Sequence, residues 1–167
     1  AVAGHENQFV AGLDLRYDTS RINSHGSSFG FPYANAWEFD RTTLGGYAKD
    51  EFFLTETLSL ALGGRLERFS NRVTGAAGTT SYDDSEWAGD AALLYRPTQA
   101  SKLFARAART YHAPFIDETV GWTGAPNTGL VPERGLSLEL GAEVSLADEW
   151  TLGTTLYQLD THDEIYY

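Results

Sequence analysis

Apolar and polar residues alternate along most of the chain, which predicts β-strands with one apolar and one polar face. In the clearest stretch, residues 136–146, Leu, Ala and Val alternate with Ser, Glu and Gly. The same alternation runs through residues 9–17, 58–67 and 86–95, and a weaker form through 37–53, 102–110 and 150–159. No stretch shows an apolar period of 3.6 residues with helix caps. The pattern therefore predicts an all-β fold of about seven strands.

The connections between these strands alternate in length. Short links are predicted at residues 54–57, 96–101 and 147–149, and long links at 18–36, 70–85 and 111–133, with another beginning at Thr161. In an antiparallel up-and-down meander, successive connections lie at opposite ends of the sheet. All short turns then fall at one end and all long loops at the other, as in outer-membrane barrels. We therefore predict that residues 1–167 form part of a transmembrane β-barrel.

Strand length and the positions of aromatic residues favour the same prediction. Several strands run for about ten residues, which matches the ~9–11 that cross a bilayer at a tilt. Tyr17 and Trp37 lie near the long-loop end, and Tyr95 and Trp150 lie near the short-turn end. Aromatic girdles at the two membrane interfaces predict this placement.

Composition excludes several other classes of protein. The formal net charge is −11, so the chain repels phosphate backbones and is not expected to bind nucleic acid. The absence of cysteine excludes disulfides, thiolate metal sites and cysteine nucleophiles. No Gly-x-Ser-x-Gly elbow or nucleotide-binding glycine pattern is present, so we predict no catalytic residues and no enzyme activity.

Three stretches resemble TonB-dependent outer-membrane receptors. They are GGYAKDEFFLTETLSLALGGRLERF (residues 45–69), KLFARAARTYHAPFIDE (102–118) and NTGLVPERGLSLELGAEVSL (127–146). The first is similar to the family's strand, tight turn and strand ending in Gly-x-Arg. The second resembles the approach to the family's Phe-Arg-Ala-Pro motif, with His112 in place of arginine, and the third its Asn-Pro-x-Leu-x-Pro-Glu loop, with Thr128 in place of the first proline.

The resemblance implies a large, plugged receptor barrel in the outer membrane of a Gram-negative bacterium. No stretch resembles the plug domain, a TonB box or the aromatic final strand, so we expect residues 1–167 to be an internal slice of the barrel. The implied function is capture of a scarce nutrient, above all a ferric siderophore or similar metal chelate. Uptake would be energised by the TonB complex through the plug, and the expected partners are the chelate, that complex and outer-membrane lipid.

The resemblance and the loop chemistry single out five candidate ligand-binding residues in the extracellular loops. Imidazole and phenolate groups suit ferric iron, and aromatic rings can stack on a chelate. Solvated loop residues with no ligand remain an alternative at each position. We predict no resident metal and no cofactor. The candidates are Tyr111, His112, Trp122, His25 and Tyr82.

Two further functions stay open on the sequence. The chain has the length of a complete small outer-membrane barrel of eight strands with a structural or adhesive role, if one strand lies undetected near residues 18–36. A soluble all-β binding module, packed as a sandwich and perhaps binding carbohydrate, would also show alternating strands.

Overall fold

A single seven-stranded sheet forms the fold in a computed structural model, which describes residues 6–115, 118–119, 127–147 and 150–165. Every strand is antiparallel to its sequence neighbours and hydrogen-bonded to them, in the order β1 to β7. The predicted all-β meander of seven strands is confirmed. The strands are β1 (Asn7–Ser28), β2 (Phe31–Phe53), β3 (Leu58–Gly75), β4 (Gly78–Thr98), β5 (Ser101–His112), β6 (Glu133–Ala147) and β7 (Trp150–His162).

Two of the predicted long links are wrong. Residues 18–36 and 70–85 continue the strands as ribbons, which close in two-residue turns at Phe29–Gly30 and at residues 76–77. Both turn residues of the first ribbon have positive φ, 52° and 83°, which defines the type I′ turn that suits a twisted hairpin. The first ribbon is largely exposed, and the second buries only Asn71 and Val73 on its inner face, so neither sequence carries the apolar alternation from which strands could be predicted. The third predicted long link is confirmed in its described part, since residues 113–115 and 127–132 belong to no strand.

An apolar band crosses the outer face of the sheet near the short turns. On β3 and β4 it is nine residues high, because Leu58 lies opposite Tyr95 and Leu66 lies opposite Trp87. Nine residues match the length of a tilted membrane strand. Exposed members of the band, with 42–85% of their surface open, are Leu13, Leu15, Leu44, Leu62, Leu66, Leu93, Leu103, Leu136, Leu138 and Leu140.

Above this band the outer face becomes polar. Arg68 forms an ion pair with Asp83 at 2.9 Å, and the Tyr17 hydroxyl donates to Asp40 at 2.8 Å. The strands therefore extend well beyond the apolar band, since β1 alone has 22 residues and spans about 70 Å at ~3.3 Å per residue. Trp37, predicted as a girdle aromatic, does not lie on the outer face: its ring lies on the inner face against Gly75.

The inner face carries charged residues paired between strands, either neighbouring strands or, for Arg65 on β3 and Asp14 on β1, across the intervening β2. Arg65 binds Asp14 at 3.0 Å, Lys102 binds Glu143 at 3.1 Å, and Arg106 binds Glu139 at 3.3 Å. A charged face of this kind is compatible with a hydrated, polar barrel interior, whereas the leucine-rich outer face is compatible with contact to lipid.

Close packing on the inner face makes Gly141 sensitive to substitution. A Cβ at the buried Gly141 would lie 2.3 Å from the Phe104 ring and 3.1 Å from the Thr154 carbonyl oxygen. Gly141→Ala should therefore lower the free energy of unfolding by about 2 kcal/mol, because an overpacked site has to distort. Gly64 has open space around it and is the matched control. Urea titration of the refolded receptor would measure both, and equal midpoints for the two variants would contradict the packing.

Candidate functional site: the covered inner wall

The sheet splits where β4 and β5 separate. Their pairing ends at Gly89 and Arg109, while β5 stays paired with β6 as far as His112 and Glu133. Above the split, the ends of β5 and β6 leave β4 and carry their connection across the inner face of β2, β3 and β4. We call the described residues of this connection, 113–115 and 127–132, the roof.

The wall under the roof contains several of the most buried side chains among the described residues. Phe39, Phe69 and Val73 are each 3% exposed, and Arg41 and Asn71 are each 8% exposed. Roof residues close over them, since Ala113, Pro114, Leu130 and Pro132 line the same small void as Arg41, Phe69, Asn71 and Tyr82. The void has a volume of about 10 Å³, so roof and wall are packed together. The core of this segment thus lies on the inner side of the barrel wall.

Arg41 is the buried cation of this wall. Its Nε donates to Asn71 Oδ1 at 2.7 Å, and its guanidinium lies 5.8 Å from the centre of the Phe69 ring. The Asn71 side chain in turn reaches the Tyr82 carbonyl at 3.5 Å. These contacts hold one cationic, one amide and two aromatic side chains in a single patch.

Glu86 fastens the upper ends of β5 and β6 to β4. Its carboxylate is 3% exposed and accepts from Arg109 Nη2 at 2.9 Å and from Arg134 Nε at 2.7 Å. The Arg109 guanidinium also lies 4.3 Å from the centre of the Trp87 ring and donates to the Trp87 carbonyl, which has no strand partner on that side. Burial alone would raise the pKa of Glu86, but the two guanidiniums outweigh it and hold that pKa below its usual range. We call Glu86, Arg109 and Arg134 the Glu86 clasp.

Tyr111 makes a second attachment between the end of β5 and the wall. Its hydroxyl donates to Glu67, and its ring meets the Phe69 ring edge-on at 6.2 Å. Burial and the hydrogen bond to Glu67 raise the pKa of Tyr111. Burial also raises the pKa of Tyr82. Both phenols are therefore neutral at ordinary pH, and the Tyr111 hydroxyl is already engaged as a hydrogen-bond donor.

His112 turns towards its own loop. Its Nε2 lies 3.3 Å from Glu118 Oε2, and its ring meets the Phe115 ring edge-on at 4.7 Å. Glu118 also accepts from the Phe115 backbone N–H at 2.6 Å. The imidazole is thus tied to the first turn of the connection, next to the roof.

The five residues predicted as ligand contacts are only partly brought together. Tyr111 and Tyr82 lie at the covered wall, and His112 lies at its margin. His25 lies on the exposed β1–β2 ribbon, away from the roof, and Trp122 lies outside the described residues. The prediction placed all of them in loops, whereas Tyr111, His112, Tyr82 and His25 are strand residues beyond the apolar band.

Sequence reasoning missed Arg41, Phe69 and Asn71. The alternation around residues 37–53 was ambiguous, because both faces of β2 carry apolar residues. Phe39 belongs to the face covered by the roof, and Leu44 belongs to the face exposed to lipid. Nothing in a single sequence indicates that a distant loop covers one of these faces.

The side chains of the wall include cationic, amide, phenolic and aromatic groups. Among the described residues, no group of three or more His, Asp or Glu side chains is placed to hold a metal ion. The same part of the chain contains no helix that is long and apolar enough to cross a membrane. What the wall offers is a guanidinium, neutral hydroxyl and amide groups, and aromatic faces.

A seven-stranded meander with a lipid-facing band, a charged inner face and strands that project beyond the band is the wall of a large outer-membrane barrel. A family model described as the TonB-dependent receptor-like β-barrel matches residues 1–167. The chain therefore belongs to the TonB-dependent receptor family, and it is an outer-membrane protein of Gram-negative bacteria. Members of this family are receptors and transporters rather than enzymes.

Solved structures show the same fold. The ferric yersiniabactin uptake receptor FyuA from Yersinia pestis superposes with a TM-score of 0.75 at 21% identity, over 95% of this chain and 26% of that one. The closed form of the ferric-catecholate import receptor Fiu from E. coli K12 gives 0.75 at 14% identity, over 93% and 28%. The copper transporter OprC gives 0.71 at 16% identity, over 90% and 27%. The chain thus spans about a quarter of these receptors, and a search of curated proteins found no match.

Proposed function

We propose that this segment forms part of the barrel wall, including its outer end, in a receptor that takes up a ferric siderophore or similar metal chelate. The observation that carries the proposal is the cluster of aromatic and basic side chains at the outer end of the inner face, where Tyr82 and Tyr111 lie at the covered wall and His112 lies at its margin with 37% of its side chain exposed. Imidazole and aromatic rings at the margin of this wall are suited to an anionic, partly aromatic chelate. Family membership and the uptake functions named for FyuA and Fiu support this choice of ligand.

The proposed mechanism begins with capture at the outer end, where the projecting ribbons and the roof meet the chelate. Release into the periplasm then requires movement of a plug that is driven by the TonB complex. Residues 1–167 supply wall and ribbons to this process, and the paired charges of the inner face supply a polar lining. The plug and its coupling sequence belong to other parts of such a receptor.

Uptake by the full-length receptor tests the proposal. Iron-starved cells that carry it as their only receptor of this family would be given radiolabelled ferric yersiniabactin, a ferric catecholate or ferric citrate, with and without functional TonB. We expect accumulation of at least one chelate, with loss of uptake when TonB is absent. Accumulation of none of them, or accumulation that persists without TonB, would contradict the proposal.

Substitutions at the predicted contacts test which residues bind the ligand. We expect Tyr82→Phe, Tyr111→Phe, His112→Ala, Trp122→Ala and His25→Ala each to weaken binding of the transported chelate, by about tenfold where a hydrogen bond or stacked ring is lost. Glu143→Gln is the control, because Glu143 pairs with Lys102 near the short-turn end, whereas the predicted contacts belong to the opposite end. If all five variants bind the chelate as tightly as this control does, these residues are not part of the binding site.

A further inference from the structure

The outer part of the β1–β2 ribbon has no charged side chain. Residues 22–37, which we call the aromatic ribbon, contain no Asp, Glu, Lys or Arg, although such residues make up 21% of the chain. At that frequency, about three would be expected in a stretch of this length. Solvent-exposed hairpins are usually kept soluble by charge, whereas the cores of protein interfaces are depleted of charge and rich in aromatic residues.

Apolar rings are exposed at the end of this ribbon. Phe29 is 100% exposed, Phe31 is 76% exposed and Tyr33 is 43% exposed. Phe29 occupies the left-handed region, with φ of 52°, where a bulky residue is unusual. The turn therefore holds a phenylalanine in solvent at some conformational cost, and such strain commonly marks a functional position.

The β2 edge of the aromatic ribbon has free backbone groups. Pairing of β2 with β3 begins only at Glu38 and Thr74, and β3 ends at Gly75. The two-residue turn makes Ser28 and Phe31 the closing hydrogen-bonded pair, so the pairs alternate along the ribbon from there. Ala34 and Ala36 consequently direct their N–H and C=O groups away from β1, and no described strand takes them.

An uncharged free edge is one that another strand can join. Proteins ordinarily protect such edges with lysine, other charges or proline. Here only Pro32 protects the edge, at its outer end, and the two alanines below it offer small side chains and open backbone groups. A strand added at this edge would place alternate side chains beside Phe31 and Tyr33, on the face these rings occupy.

We propose that the aromatic ribbon is a docking site for a polypeptide partner that adds an extended, uncharged segment to the β2 edge at Ala34 and Ala36. Its apolar side chains pack on Phe31 and Tyr33. The ribbon is rich in Ser, Gly, Asn and aromatic residues, a composition that serves protein recognition in antibody loops. The free backbone groups favour a polypeptide over a glycan, since only a polypeptide can continue the ladder. This site is separate from the covered wall and does not rest on the uptake proposal.

The test uses the purified full-length receptor and a phage-displayed library of random twelve-residue peptides. We expect selection of uncharged peptides with alternating apolar residues. Phe31→Asp and Ala36→Pro should each weaken their binding by at least tenfold, because the first places a charge among the rings and the second removes an edge N–H. Asn23→Pro is the matched control, since Asn23 lies opposite Ala36 and directs its N–H to the other edge of the ribbon. Binding to Asn23→Pro should stay within twofold of the wild type.

Limited proteolysis of all three variants would verify that the ribbon is intact. Equal losses for Ala36→Pro and Asn23→Pro would overturn strand addition at the β2 edge. Failure to select any peptide whose binding depends on Phe31 would overturn the proposal as a whole. So would a surface polysaccharide that binds through the rings and is insensitive to Ala36→Pro.

Discussion

Replacing Glu86 with alanine is expected to lower the free energy of unfolding of the receptor by about 3 kcal/mol. The carboxylate is almost fully buried, and its removal leaves the Arg109 and Arg134 guanidiniums without their shared acceptor. Breaking a buried charge pair from one side typically costs this much. The upper ends of β5 and β6 then lose their attachment to β4, so we also expect faster proteolysis within residues 113–132. Urea titration of the refolded receptor and timed digestion would measure the two effects.

Glu143→Gln is the control for Glu86. Glu143 also pairs with a cation on a neighbouring strand, but its side chain is 47% exposed. Its loss should cost at most about 0.5 kcal/mol and leave digestion unchanged. Equal effects at the two positions would mean that the Glu86 clasp does not hold the roof.

The contribution of Glu86 should also depend on pH. The guanidiniums hold its pKa below the ordinary value of 4.5, so folding favours the ionised form. The resulting stability is fully present above that ordinary value and is lost as the pH falls through the lower folded-state pKa. The difference in unfolding free energy between wild type and Glu86→Gln should therefore shrink in acid.

Replacing Leu62 with arginine is expected to cost about 2–4 kcal/mol of folding free energy in a lipid bilayer. Leu62 lies midway between Leu58 and Leu66 on the outer face, at the centre of the apolar band. An arginine at this position would place its charge in the hydrocarbon core of the bilayer, which costs free energy. Equilibrium folding into lipid vesicles, followed by tryptophan fluorescence, would measure the change.

Ser70→Arg is the control for Leu62. Ser70 is exposed on the outer face of the same strand, beyond the band and opposite Asp83. An arginine there remains in water near a carboxylate, so folding should change by less than about 0.5 kcal/mol. A similar cost at both positions would contradict the placement of the membrane boundary.

The sequence predicted the strands wherever one face meets an apolar medium. Leu136, Leu138 and Leu140 alternate with polar residues because one side of the wall is in lipid and the other faces the barrel interior, and that period is visible in the residues themselves. The ribbon at 18–36 is largely exposed, and in the ribbon at 70–85 the only buried side chains are those of Asn71 and Val73, a run too short to show an apolar period. Their Ser, Thr, Asn and Gly residues therefore suggested loops, although the turns at Phe29–Gly30 and at residues 76–77 hold them as strands.

The site was predictable only in part, because its contacts join residues far apart in the chain. Tyr111 and Tyr82 were found through motif resemblance and loop chemistry. Their partners were not, since Tyr111 and Glu67 are 44 residues apart and Arg134 and Glu86 are 48 apart. Such pairs depend on where β4 and β5 separate, and no local pattern in either strand marks the split at Gly89.

The most direct test of this account is a cysteine scan along β3 in the full-length receptor, in a background free of other cysteines. Single cysteines at residues 58–66 would be exposed in intact outer membranes to a water-soluble maleimide and to a lipid-soluble one. We predict that the even positions, led by Leu60, Leu62 and Leu66, react with the lipid-soluble reagent, and that the odd positions, led by Gly63 and Arg65, react with the aqueous one. Uniform aqueous labelling of both sets would show that this sheet is not a membrane wall, and the receptor assignment of its two faces would fail.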